Sequence, residues 1–229
     1  MAAAPVVHSI GDTLTTDEIQ HSFCINMAVD YEISGTYNEI SLVFEYTKQG
    51  LPKGTSGAKS ASVEVENAPI IWHTHPSCSK YYPSTEDLFK IIKNKNITTK
   101  SIIFTTYGVW VLKCDTQHKI KYNTTDPRVS FLLNAFDKNN RGNPGNIFYA
   151  ATNRGKDYNL GAIQHYITEV EQIMGSVGIR YSIAWFAYPD FQTFLATNGG
   201  VIGGKKRKTK KRKTKKQKKT KNKNKTFYV

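Results

Sequence analysis

The stretch from Pro69 to Asp87, PIIWHTHPSCSKYYPSTED, constrains this chain's fold more than any other. Ile70, Ile71 and Trp72 run directly into His73-Thr74-His75. A short apolar run of strand-forming residues reads as a strand buried more deeply than its neighbours. Pro76 has no N–H to donate and ends the ladder. After a loop through Pro83, Ser84-Thr85-Glu86-Asp87 opens a helix expected to reach about Lys93. A buried strand that feeds a loop and then a helix belongs to a layered fold.

The rest of the chain supplies the other layers. Thr15 with Glu18 three residues later fits a capping box, so a helix is expected from there to about Ala28. Strands are expected at Tyr31–Tyr37, Glu39–Tyr46, Ser62–Glu66, Ser101–Tyr107 and Gly108–Lys113, with a further short one at Lys119–Tyr122. The stretches 49–59 and 139–146 read as loops from their Gly, Pro and Asn content. Asp126-Pro127 begins a helix through Phe136, with Pro in its first turn. A longer helix over Asp157–Met174 precedes a last strand, Arg180–Tyr188. This order predicts an α/β (α+β) domain built on a mixed sheet. Residues 1–122 form its motif-bearing core, and residues 123–204 complete or extend it.

Charge separates this body from the C-terminal segment. Of the 32 Lys and Arg, 15 lie in residues 205–225, where there is no acidic residue. The remaining 17 basic residues nearly balance 18 acidic ones, which excludes a uniformly basic nucleic-acid-binding fold. The segment 205–229 lacks apolar periodicity and its like charges repel, so it is expected to be disordered by itself. Lys205, Lys206, Arg207, Lys208, Lys210, Lys211, Arg212 and Lys213 form its densest part. They suit non-specific, salt-dependent contact with nucleic acid or another polyanion, and resemble nuclear-localisation clusters. No aromatic residue interleaves them, so base stacking is not expected.

No run of about 18 apolar residues suggests a membrane-spanning helix. The first residues, MAAAPVVHSIGDT, lack the basic and apolar regions of a secretory signal. Three widely spaced cysteines, Cys24, Cys78 and Cys114, argue for a reducing compartment, cytoplasmic or nuclear.

Alternate residues of a strand share a face, so His73 and His75 can aim both imidazoles at one point. Asp87, one turn into the following helix, can return a carboxylate there. Two imidazoles and a carboxylate form a ligand set for catalytic zinc, with a fourth position left for water. Zinc lowers the pKa of such a water toward about 7. Each piece also has a plainer role. His-x-His pairs often only pack, and Ser84 and Asp87 can simply cap a helix.

In this order the residues resemble the JAMM (MPN+) zinc metalloproteases. The signature of that family is an upstream Glu, then H-x-H-P, a short loop and S-x-x-D. His73, His75, Pro76, Ser84 and Asp87 match it, and Pro83–Leu88 (PSTEDL) resembles the bacterial, archaeal and viral branches. Seven residues separate Pro76 from Ser84, where the family usually has six. The resemblance spans residues 15 to about 122. It implies a curved mixed sheet flanked by helices, the JAB/MPN (cytidine-deaminase-like) three-layer fold. It also implies one Zn2+ ion on His73, His75 and Asp87, with Ser84 donating a hydrogen bond to the oxyanion of the reaction.

The family's general base is a Glu within an E-x-x-G-like segment on the strand after the first helix. Glu32-Ile33-Ser34-Gly35 fits, and Glu32 is placed ahead of its rival Glu39, whose segment lacks the Gly. The implied activity is metallo-isopeptidase or peptidase, with ubiquitin or a ubiquitin-like conjugate as substrate. Cys78 is expected to be a spectator thiol near the site. The basic tail resembles those of large-DNA-virus proteins. The competing reading is a catalytically silent MPN-type binding module whose tail binds nucleic acid.

Overall fold

The structure, a computed structural model, describes residues 8–52, 63, 65, 67–76, 82–93, 97–120, 126–136 and 160–198. In chain order it comprises β1 (Thr13–Leu14), α1 (Thr16–Ile19), β2 (Ile33–Asn38), β3 (Val43–Gln49), β4 (Ile70–Thr74), α2 (Thr85–Lys90), β5 (Lys100–Phe104), β6 (Val109–Cys114), α3 (Pro127–Phe136), α4 (Leu160–Ser176), β7 (Tyr181–Phe186) and α5 (Tyr188–Asn198). The seven strands form one mixed sheet in the order β1-β3-β2-β4-β5-β6-β7. Only β4 and β5 pair in parallel. Parallel neighbours need a crossover, and α2 supplies it.

Alternation along the strands creates two cores. Trp72, Ile102 and Val111 lie side by side in register and face one way, with Ile19, Phe23 and Phe191 packed over them. His73, Ile103 and Trp110 lie in the next register row and face the other way, where Leu88, Leu132 and Tyr166 cover the sheet. The β4 strand is buried along its whole length. Its odd-numbered residue His73 therefore points into the layer built from α2, α3 and α4. Trp72 and Phe89 are core residues, as their types suggest.

The helix begun by the Thr15–Glu18 capping box starts where expected. It does not run as one α-helix to Ala28. After Ile19 it widens into a π-helical stretch, Gln20–Ile25, and ends. The wider turn lets Phe23 and Cys24, four and five residues on, both join Ile19 in the core.

The strand expected at Glu39–Tyr46 is shifted. Asn38 accepts hydrogen bonds at Oδ1 from the amides of Ile40 and Ser41. This side-chain turn, with Leu42 at φ 57°, occupies residues 39–42, so β3 begins only at Val43. Of the expected strand Ser62–Glu66, only Val63 and Val65 are described, and neither is in a strand. Ile120 makes one isolated bridge to Lys93, and Lys121 and Tyr122 lie outside the described residues. The loop 139–146 also lies outside them. The final strand stops at Phe186, and Tyr188–Asn198 is a helix that sequence reasoning missed. Pro189-Asp190 is its signal, since both suit a first helical turn. Its Phe191 is fully buried.

Gly35 shows why β2 tolerates no side chain at its bulge. The register shifts between Ser34 and Gly35, and the Trp72 indole N–H donates to Thr36 O and Glu45 O, both at 3.1 Å. A Cβ on Gly35 would stand 1.6 Å from Glu45 O and 2.7 Å from Trp72 Nε1. Both neighbours are locked, so Gly35→Ala is expected to cost about 3 kcal/mol. Chemical denaturation checks this, and a loss under about 1 kcal/mol would show that β3 yields.

Candidate metal centre

Three elements converge at the C-terminal end of β4. Ser34 pairs with His73 in the antiparallel β2–β4 ladder, and the Ile33 amide donates to Thr74 Oγ1 at 3.0 Å. The His75 amide donates to Phe104 O at 2.7 Å, so His75 stays tied to β5 beyond the end of its own strand. From the far side, α2 brings Asp87. Ser84 is its N-cap, accepting at Oγ from the Asp87 amide at 3.2 Å, while the Ser84 amide donates to Asp87 Oδ2 at 2.5 Å. Thr85 Oγ1 donates to Phe136 O at 2.6 Å, which ties the first turn of α2 to the end of α3.

The ligand atoms form a tight triangle. His73 Nε2 is 3.2 Å from His75 Nε2 and 3.0 Å from Asp87 Oδ1, and His75 Nε2 is 3.4 Å from Asp87 Oδ2. Ligands at about 2.0–2.1 Å from a tetrahedral zinc stand about 3.3–3.4 Å apart. The three side chains could therefore hold one metal ion between them, and imidazole and carboxylate donors are of the kinds that divalent transition metals take. Among the described residues no other group of three His, Cys, Asp or Glu side chains does this. His73 and His75 are buried. His73 Nδ1 is buried without a hydrogen-bond partner among the described residues. Burial pushes the Asp87 carboxyl up, but the imidazoles of His73 and His75 outweigh it and hold the group well below the usual range.

Capping and ligation are thus not alternatives for Asp87. Its Oδ2 accepts from the Ser84 amide while both oxygens face imidazoles. Nor does capping consume Ser84. Its hydroxyl oxygen accepts from the Asp87 amide, and its own O–H proton is still available to a ligand.

Glu32 sits one residue before β2, buried, close enough to His75, His73 and Asp87 to be influenced by all three charges. Burial raises its carboxyl pKa most, the two histidines and the Val63 amide lower it, and Asp87 raises it further. Glu39 lies past the far end of the same strand and forms an ion pair with Lys100. Of the two candidates, Glu32 is the one brought to the centre. Thr74 Oγ1 accepts from the Ile33 amide, a strand-to-strand link beside Glu32. His8, His21 and His165 contact Ser22, Asp17 and Glu169 and lie apart from the triangle. Cys78 and Lys205, Lys206, Arg207, Lys208, Lys210, Lys211, Arg212 and Lys213 lie outside the described residues.

Sequence reasoning missed Tyr166 of α4, whose hydroxyl donates to Pro83 O at 3.1 Å, next to the cap of α2. No motif marks it, because the contact spans 83 residues. Comparison with protein-family models, with curated proteins and with solved structures gives no match for this chain.

Proposed function

We propose that this chain is a zinc-dependent metallohydrolase of the JAMM type, which cleaves an isopeptide or peptide bond of a ubiquitin-like conjugate. The observation that carries the reading is the His73–His75–Asp87 triangle at zinc-ligand spacing with a buried carboxylate, Glu32, beside it. The central β4–β5 pair, covered on both faces by helices, is compatible with the three-layer JAB/MPN fold. A zinc ion on these ligands supplies Lewis acidity, which lets water attack an amide at neutral pH.

The chain's own groups do the rest. Glu32 accepts a proton from the attacking water and returns it to the departing amine. Its buried setting favours the protonated form more than water does, so it can act in both directions. Ser84 turns its O–H toward the oxyanion while its lone pair stays on the cap of α2. Asp87 remains ionised and supplies the negative charge that offsets the cation.

The test is a panel of ubiquitin dimers treated with zinc-loaded protein, chelator-treated protein and a His75→Ala variant. Cleavage by the first sample alone is expected, restored to the second by added zinc. Tight zinc binding without cleavage of any dimer would remove ubiquitin as substrate. Absence of zinc binding would overturn the metallohydrolase reading.

A further inference from the structure

One side chain links the C-terminal half of the chain to the metal centre. Tyr166, on α4, is 2% exposed, and its hydroxyl donates to Pro83 O at 3.1 Å. Pro83 O belongs to the same peptide unit as the Ser84 amide, which donates to Asp87 Oδ2 at 2.5 Å. The described chain has no cis peptide bond, so this carbonyl and this N–H point in opposite directions. Tyr166 and Asp87 therefore grip one rigid peptide plane from its two sides. The ring of Tyr166 is itself held, 5.0 Å from the Tyr82 ring and 5.4 Å from Trp110, with Tyr82 and Trp110 5.6 Å apart. These separations are those of packed aromatic pairs.

We infer that Tyr166 is a positioning residue, which fixes the Asp87 carboxylate through the Pro83–Ser84 peptide. The consequence for zinc rests on the function proposed above. Donation to a carbonyl withdraws electron density from its peptide and makes the attached N–H a stronger donor. The Ser84 amide then holds Asp87 Oδ2 more firmly, with both carboxylate oxygens turned toward His73 and His75. Partners that orient a metal ligand in this way are typically worth about 10–100-fold in metal affinity. The arrangement gives α4 a part in the centre even though it supplies no ligand.

Tyr166→Phe tests this by deleting one hydroxyl and keeping the ring cage. Tyr188→Phe is the control: its hydroxyl makes a similar buried bond to a backbone carbonyl, Thr105 O at 2.6 Å, away from Asp87. In the metal-free proteins, the Ser84 amide resonance is expected to move upfield and exchange faster in Tyr166→Phe alone. Titration with zinc is expected to give a dissociation constant about tenfold weaker for Tyr166→Phe and within about twofold of wild type for Tyr188→Phe. An unmoved Ser84 amide, or equal weakening by both substitutions, would overturn the assignment. If the wild type itself takes up no zinc, the metal reading falls separately. The Ser84 amide then decides alone, a shift confined to Tyr166→Phe supporting the link and no shift refuting it.

Discussion

Glu32→Gln is expected to leave zinc uptake close to wild type and to lower kcat by about 10^2–10^4-fold. Gln keeps the size of the side chain and an oxygen for the Val63 amide, but it cannot accept a proton. The same substitution should stabilise the metal-free protein at neutral pH. Burial raises the Glu32 pKa, partly countered by His75 and His73 and reinforced by Asp87. A carboxyl with a raised folded pKa contributes its full stability below the unfolded value, near 4.3. That contribution is lost as pH rises through the folded pKa. Gln does not ionise and loses nothing over that window. Thermal melts in chelator should therefore show a higher midpoint for Glu32→Gln at pH 7, with the gap closing toward pH 4. Unchanged kcat would remove Glu32 as the base. A gap that is the same at both pH values would show that its ionisation costs the fold nothing.

Asp87→Ala is expected to weaken zinc binding by about 10^2–10^3-fold. Structural zinc sites with four ligands are worth about 10–16 kcal/mol, or about 2.5–4 kcal/mol for each ligand, and about 1.4 kcal/mol is tenfold. Ala also removes the acceptor for the Ser84 amide, and losing a cap of this kind costs about 1 kcal/mol. Asp87→Asn separates the two roles. Its amide oxygen can still accept from Ser84, so more of the cap survives while the anionic ligand is lost. Calorimetric zinc titration and melts in chelator should show both variants weak for zinc and Ala the less stable. Wild-type zinc affinity in both would remove Asp87 from the centre, leaving it as a cap alone.

Legibility falls with distance along the chain. Both capping boxes, Thr15 with Glu18 and Ser84 with Asp87, involve partners three residues apart, and both form as the pattern implies. The two histidines, two apart on a strand, meet through their Nε2 atoms for the same reason. The start of β3 departs from the strand pattern because Asn38 competes for the backbone amides that an earlier strand would have used. The helix over Tyr188–Asn198 is hard to read from sequence because its start lies directly against a run of strand-forming aromatics, RYSIAWFAY.

What residue order alone determined here was local. It set a buried strand ending at a proline, a capped helix after it, and the presence of two imidazoles and a carboxylate within one short segment. Chain geometry over a few residues is stiff enough to make such patterns decisive. Only the tertiary structure separates Glu32 from Glu39 in space. Both flank β2, and the pairing of Ser34 with His73 carries one to the centre while the Asn38 turn and Lys100 hold the other away. It alone brought Tyr166 to Pro83. Contacts of that span depend on which faces of the sheet are buried and which helices cover them, and no short stretch of sequence encodes that choice.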